Sequence, residues 1–315
     1  MSLRVAIQMD PIESVDINTD SSFRLGEEAQ KRGHTLHVYE PTSLGWREGG
    51  LFAKTRRVSL RRVAGDHVDA NTPQRNDLST FDVILLRQDP PFDMAYVTTT
   101  HMLETIHPAT LVVNDPFWVR NSPEKLLVNQ FREFIAPTVI TRDIDEIHAF
   151  RAEYGDMIIK PLYSSGGAGV LKLSATDGNL NAIHELFGQF WREPMIAQKF
   201  LPAVREGDKR VILVDGVGVG AINRIPASGE TRSNLHVGGA ATPSALTSRD
   251  QEICEAIGPI LRQKGLVFVG IDVIGGVLTE INVTSPTGIQ ELERFNNVNI
   301  AGMIWDRIEE RRARG

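Results

Sequence analysis

The sequence predicts an α/β protein, in which an N-terminal parallel α/β domain precedes a two-part unit built on antiparallel sheets. Three observations carry this. In the first third, short apolar runs alternate with helical stretches, the pattern of strands buried on both faces of a parallel sheet. In the last third, strand candidates flank Asp215-Gly216, a strong hairpin signal, and a turn at Ile274-Gly275-Gly276. The 315 residues also exceed one typical domain.

In chain order, Val5-Ala6-Ile7 begins the sheet, and Asp20-Ser21-Ser22 caps a helix from about Phe23 to Arg32 that Gly33 ends. Thr35 to Tyr39 is the next strand. The polar, Arg-rich stretch from Pro41 to Thr80 lacks clear periodicity and yields no element. Asp82 to Leu86 and Thr110 to Val113 read as buried strands. Ser122 as N-cap, Pro123 at the first helical position and Glu124 beside the helix dipole start a new unit. The expected domains are 1–122, 123–203 and 204–315. The second holds strands at Thr138 to Thr141, Met157 to Pro161, Val170 to Leu173 and Met195 to Phe200, with helices near Ile144 to Glu153 and Asn179 to Trp191. The third holds the hairpin Arg210 to Val214 with Val217 to Ile222, an amphipathic helix from Arg249 to Lys264 stopped by Gly265, and the hairpin Val267 to Val273 with Val277 to Val283.

Composition excludes several functions. The balance of 34 Lys plus Arg against 40 Asp plus Glu, a net charge of -6, argues against a broad nucleic-acid surface while leaving room for a nucleotide pocket. The single cysteine, Cys254, can make neither an internal disulfide nor a Cys-rich zinc site, and Glu252 and Glu255 beside it raise a thiol pKa, so a buried spare thiol is expected. The first apolar stretch, Val5 to Met9, is interrupted by Gln8 and is too short for a signal-peptide core or a membrane span. A cytoplasmic protein without membrane or nucleic-acid partners is expected.

Three sets of residues can carry chemistry. Lys160 ends a strand and Ser164-Ser165-Gly166-Gly167-Ala168-Gly169 follows, a run whose backbone amides and hydroxyls can wrap phosphates. It matches neither the P-loop nor the dinucleotide fingerprint, and it reads equally as a flexible hairpin with a surface lysine. Glu280 and Asn282 lie two apart on an apolar strand, and the hairpin brings Asp272 beside them. Such oxygen donors suit Mg²⁺ bound with a nucleotide; solvent-facing polar residues on an ordinary sheet are the alternative. Arg87 ends a parallel strand at the carboxyl edge, where open α/β sheets bind ligands, and Arg210, Arg224 and Arg232 follow. Each alone is an ordinary surface arginine. The long, small-residue stretch from Pro226 to Pro243 has the character of a lid or of a plain surface excursion, and its His236 has no visible partner and is given no catalytic role.

Thr279-Glu280-Ile281-Asn282-Val283-Thr284-Ser285-Pro286, the Lys160-Pro161 strand with its glycine loop, and Arg87-Gln88-Asp89-Pro90-Pro91-Phe92-Asp93 together resemble the ATP-grasp ligases, and among them the bacterial glutathione synthetase family. The similarity runs almost end to end, with further stretches at Gly207-Asp208-Lys209-Arg210, Arg224-Ile225-Pro226 and Gly229-Glu230-Thr231-Arg232. The resemblance implies a pre-ATP-grasp domain followed by a two-part ATP-grasp domain. It implies that Lys125 and Lys160, with Gly166 and Gly167, hold ATP phosphates, that Gln198, Phe200 and Leu201 border the adenine, and that Asp208 meets the ribose. Asp272, Glu280 and Asn282 would ligate two Mg²⁺ ions, with Mn²⁺ as a substitute, while Arg210 and Arg224 stabilise the transferring phosphoryl group. Asp20, Ser21 and Arg87 would hold γ-glutamylcysteine, with Arg232, Ser285 and Gly288 near the glycine end. The implied reaction joins γ-glutamylcysteine and glycine through an acyl phosphate with release of ADP, in a homotetramer; an ATP-grasp ligase for another peptide or amino-acid carboxylate is the nearest alternative.

Overall fold

In the computed structural model, residues 2–227, 229–230, 232 and 240–314 are described, and they form three sheets. The first is mixed. Its parallel part orders the strands Thr35–Tyr39, Arg4–Gln8, Val83–Leu86 and Leu111–Val113 side by side. Val5, Ala6, Ile7 and Val83 to Leu86 are buried on both faces, as an all-apolar parallel strand requires. The helix Ser21–Lys31 opens two residues earlier than expected, because the Asp20 carboxylate accepts from Phe23 N at 2.6 Å and becomes the cap itself.

The stretch Pro41 to Thr80 departs from expectation. It carries an 11-residue strand, Gly50–Leu60, which pairs antiparallel with Thr35–Tyr39 and gathers the short strands Gly45–Arg47, Val68–Ala70 and Gln74–Asp77. Its inward residues are Leu51, Ala53 and Thr55, then Val58 and Leu60, so the alternation slips by one at Arg56-Arg57. That slip, with Thr55 at an inward position, hides the period of two from the sequence. The second correction concerns Ser122. The short helix Glu124–Leu127 has Pro123 at its N-cap without a side-chain cap, and the Ser122 hydroxyl is buried without a partner.

The second sheet orders Leu171–Leu173, Met157–Pro161, Met195–Lys199 and Thr138–Thr141, all antiparallel, with a core of its own around Ile147, Ile159, Leu180 and Phe187. The third orders Ala240–Ser244, Val217–Ile225, Asp208–Val214, Phe268–Ile274 and Val277–Asn282. At the Asp215-Gly216 turn both residues have positive φ, 49° and 74°, the left-handed pair that a two-residue hairpin needs. The stretch 226–243 is not loop throughout, since Ala240–Ser244 pairs with Val217–Ile225 as an edge strand, where Pro243 is tolerated. Its middle, with His236, lies outside the described residues.

Helix Ser248–Gln263 packs on the third sheet behind a capping box of Thr247 and Asp250. Within it Cys254 is buried, and burial, with Asp250 and Glu255, pushes the thiol up to about 12, so it is an inert core thiol. Asn114 ties the first and third sheets together: its amide donates to the carbonyls of Phe268 at 2.8 Å and Val283 at 2.7 Å and accepts from Phe268 N at 2.9 Å. No helix among the described residues is long and apolar enough to cross a membrane.

Candidate active site

Two concavities meet where the three sheets converge. The first lies between the second and third sheets and is lined by Lys125, Lys160, Ser164 to Gly167, Gln198, Phe200, Leu201, Asp208, Arg232, Asp272 and Glu280. The second is a cleft of about 800 Å³ between the N-terminal sheet and the third sheet, lined by Asp20, Ser22, Arg87, Glu124, Arg210, Arg224, Asn282, Ser285, Gly288 and Glu291 among others. Ser165, Gly166 and Glu280 line both, so they form the wall where a ligand in one meets a ligand in the other.

The third sheet sets the charge. Asp272 pairs with Glu280 across the strands, and both project to the face that also carries Asn282. Arg210 on the adjacent strand donates from Nε to Asp272 Oδ1 at 2.6 Å and from Nη2 to Oδ2 at 3.1 Å, the two-pronged contact a guanidinium makes best. Arg224 Nη2 lies 2.6 Å from Asp208 Oδ2 and 2.9 Å from Asp272 Oδ1. Burial pushes the Asp272 carboxyl up, but Arg210 and Arg224 outweigh it and hold the group far below its ordinary range. Burial likewise opposes the Arg224 charge, and Asp208 and Asp272 more than restore it.

Glu280 reaches across to the second sheet. Lys160 Nζ lies 3.5 Å and Lys125 Nζ 3.7 Å from its Oε1, so two lysines that are 35 residues apart in sequence share one carboxylate. Against burial, these lysines lower the Glu280 pKa. Lys125 Nζ also donates to the carbonyl of Ser164 at 2.5 Å and contacts Glu124, tying the short helix to the glycine loop. Gly166 and Gly167 have φ of 63° and 82°, a conformation that turns backbone N–H groups toward an anion and that a side chain would strain. Glu124 itself is shifted the other way, upward, by burial and by Glu280 and Asp272, with Lys125 opposing.

The donor set fits Mg²⁺ entering with a nucleotide. Lys125, Lys160, Arg210 and Arg224 are matched one for one by Glu124, Glu280, Asp272 and Asp208, so the wall is near neutrality and a polyphosphate needs further cations. Asp272, Glu280 and Asn282 offer hard oxygen donors, too few for a full shell, which leaves positions for phosphate oxygens. Among the described residues no group of three His, Cys, Asp or Glu lies at metal-binding spacing.

The second cleft is different in kind. Arg87 is buried, with Nε donating to Ser22 Oγ at 3.0 Å and Nη2 to the carbonyl of Pro286 at 2.9 Å, while Nη1 has no partner. Burial pushes the Arg87 charge down against the pull of Asp20 and Asp89. Asp20 lines the cleft and its pKa is raised by burial, with Asp89 adding and Arg87 opposing. Ser285 Oγ donates to the Arg87 carbonyl at 3.4 Å, and Gly288, with φ of 106°, packs its Cα side toward Arg210 and Ile222.

Most of the residues expected from sequence therefore line one of the two concavities. Ser21 does not: its side chain is fully buried beneath the helix, and its neighbour Ser22 faces the cleft. Arg232 lines the first concavity, bonded to Glu230 at 2.6 Å, and not the cleft that holds Ser285 and Gly288, near which it was expected. Ser22, Glu124 and Glu291 were not anticipated. A helix cap seen one residue out accounts for Ser22; the other two become visible only when the cleft is assembled.

Comparison with known proteins places these features. The chain matches the model for the prokaryotic glutathione synthetase N-terminal domain over residues 3–120 and that for the ATP-grasp domain of the same enzyme over residues 124–297. It is 56% identical to glutathione synthetase of Brucella melitensis biotype 1, over 99% of this chain and 100% of the relative. It is 56% identical to that of Agrobacterium fabrum, over 98% and 97%, and 44% identical to that of Yersinia pestis, over 99% and 98%. Among solved structures, the D-cycloserine synthetase DcsG aligns with a TM-score of 0.70 at 14% identity, over 98% of this chain and 99% of that one. The ATP-grasp ligase PsnB complexed with a minimal precursor aligns with a TM-score of 0.64 at 18% identity, over 99% of each chain. At such identities these two speak for the fold alone.

Proposed function

Because this chain belongs to the prokaryotic glutathione synthetase family, ATP-dependent ligases of the ATP-grasp fold, we propose how its residues divide the work of forming glutathione. The enzyme is an ADP-forming ligase and uses ATP with Mg²⁺. The observation that supports the assignment of roles is the shared wall of Ser165, Gly166 and Glu280, across which a nucleotide in one concavity would meet a carboxylate in the other.

A free carboxylate is a poor electrophile, so an oxygen of the cysteinyl carboxylate of γ-glutamylcysteine first attacks the γ-phosphorus of ATP, breaking its bond to the β,γ-bridging oxygen, releasing ADP and forming an acyl phosphate. The glycine amine then attacks its carbonyl, forming the peptide bond and expelling phosphate. Lys125, Lys160 and the amides of Gly166 and Gly167 hold the phosphates, and Gln198, Phe200 and Leu201 border the base, with Asp208 at the ribose. Asp272, Glu280 and Asn282 would hold Mg²⁺, two ions per site with Mn²⁺ as a substitute; bound there, the metal neutralises phosphate charge. Arg210 and Arg224 line the cleft at the transfer point and offset the charge that builds on the phosphoryl oxygens, so no protein nucleophile is needed. Arg87, steadied by Ser22 and Asp20, grips the far end of the dipeptide, with Ser285 and Gly288 near the glycine end.

By resemblance to the family we read the protein as a cytoplasmic homotetramer, and from its sequence as having domains at 1–122, 123–203 and 204–315; light scattering reports the assembly. The decisive assay follows ADP release with Mg²⁺, ATP and a panel of acids and amines. Turnover is expected only with γ-glutamylcysteine and glycine together, with ¹⁸O from the labelled carboxylate appearing in phosphate. Unlabelled phosphate would remove the acyl-phosphate step, and a preference for another acid would reassign the cleft.

A further inference from the structure

The glycine loop between the strands Met157–Pro161 and Leu171–Leu173 belongs to a unit whose core takes no residue from the first sheet. Tyr163 and Ser164 tie it to the rest of the molecule. From the side of the third sheet, Lys125 Nζ donates to the Ser164 carbonyl at 2.5 Å. From the side of the first sheet, the ring of Phe92 meets that of Tyr163, with centroids 5.7 Å apart and planes at 30°. Bonds inside the loop, such as Ala168 N to the Ser165 carbonyl at 3.1 Å, shape it without fixing its place.

Phe92 is a firm platform for that ring. It follows Pro90-Pro91, each of which locks a backbone torsion, and precedes Asp93, which caps helix Met94–Glu104 by accepting from Tyr96 N at 2.9 Å. It also packs on the fully buried Tyr96 ring, 5.2 Å away at 39°. Three rings therefore run from the core to the edge of the glycine loop, each at a separation typical of favourable aromatic pairs.

Both ends of this row stand beside the concavities. Asp89 and Pro90, on the same short segment as Phe92, line the second cleft, while Ser165 and Gly166, just after Tyr163, line both. The ring contact thus joins the segment that faces the acid to the loop that faces the nucleotide phosphates. A glycine-rich loop loses much conformational freedom when it is held in place. A first ligand that settles it against Phe92 leaves less ordering for the second, which is positive coupling without direct contact.

We infer that Tyr163 is a positioning residue that latches the glycine loop onto Phe92, and that this latch couples binding of the acid substrate to binding of ATP. The inference rests on the reading of the first concavity as the nucleotide site and of γ-glutamylcysteine as the occupant of the second. Coupling is reciprocal, so each substrate tightens the other by the same factor.

The test is calorimetric titration of a non-hydrolysable ATP analogue with Mg²⁺, with and without saturating γ-glutamylcysteine, on the wild type, Y163A, Y163F and F92L. The wild type is expected to bind the analogue about 3- to 10-fold more tightly with the dipeptide present, the range for an aromatic pair. That ratio should fall to near unity in Y163A and in F92L, with no further loss when the two are combined, and should be kept in Y163F, because the contact is between rings. A ratio near unity in the wild type overturns the inference. So does an undiminished ratio in Y163A, even where the analogue binds more weakly throughout, since that is the mark of a merely structural ring. Should Y163A fail to fold, F92L gives the same reading from the opposite ring. A wild type that binds the analogue but not γ-glutamylcysteine removes the substrate reading instead, and the ratio is then measured with the acid that the ADP-release panel selects.

Discussion

The wall facing the nucleotide and the far end of the peptide cleft lie in one molecule and handle charge in opposite ways. On the wall, Arg210, Asp272, Arg224 and Asp208 form a chain of ion pairs at 2.6 to 3.1 Å, and Lys125 and Lys160 close on Glu280. At the far end, Arg87 Nη1 and Glu291 Oε2 are buried and unpartnered. The wall must stay ordered as nucleotide comes and goes, so its charges are satisfied internally. At the far end the two unpartnered groups cost stability, and under the proposed function they are left for a ligand to meet. A residue on the wall is therefore both structural and functional, whereas one at the far end is functional at the expense of the fold.

The sharpest break of this contrast is Asp272→Ala, which leaves Arg210 and Arg224 without their shared partner. We expect a loss of about 3–5 kcal/mol in urea unfolding, as for a buried pair that loses one member, together with loss of turnover. A wild-type midpoint would show that the wall is not held by these pairs. Next, Arg224→Ala should lower kcat by about 100- to 1000-fold while leaving KM for the dipeptide near its original value, the pattern for a group that acts on developing charge. An effect confined to KM would move Arg224 from the transfer step to ground-state binding. Arg87→Met should do the reverse, raising KM for γ-glutamylcysteine about 10- to 100-fold with unfolding little changed.

Acidity separates the regions more gently. Asp272 and Glu280 are held below their ordinary values of 3.8 and 4.5, so the stability they contribute is complete above those values and is lost as pH falls beneath them toward the folded-state values. Glu291 is raised above 4.5, so its cost is absent below that pH and grows as pH rises through its folded-state value. Glu291→Gln should accordingly melt slightly higher than wild type at pH 7, with the gain vanishing below pH 4.5 in calorimetry. A variant less stable at pH 7 would mean that Glu291 is satisfied within the fold.

Much of this was legible in the chain. The glycine loop after Lys160 and the Glu280, Asn282 spacing identify a phosphate and metal site because loop composition and strand alternation are local properties. The hairpin at Asp215-Gly216 is legible for the same reason: its left-handed turn is a property of two residues. The strand Gly50–Leu60 was not, since its inward face is chosen by the neighbour it pairs with, and the slip at Arg56-Arg57 erases the alternation that would announce it. Ser21 and Ser22 show the limit at single-residue scale. Both stand in the first turn of one helix, and only the rotation of that turn decides which hydroxyl meets Arg87.

By itself, the sequence determined the class of chemistry and most of the groups that take part, because those depend on side-chain type and short spacings. Tertiary structure alone decided which charges meet. It joined Lys125 and Lys160 on Glu280, shared Asp272 between two arginines, and left Arg87 Nη1 and Glu291 Oε2 buried without a hydrogen-bond partner. The physical reason is that a charge's role is set by its desolvation and its neighbours within a few ångströms, and those neighbours come from three sheets that the chain brings together only when folded.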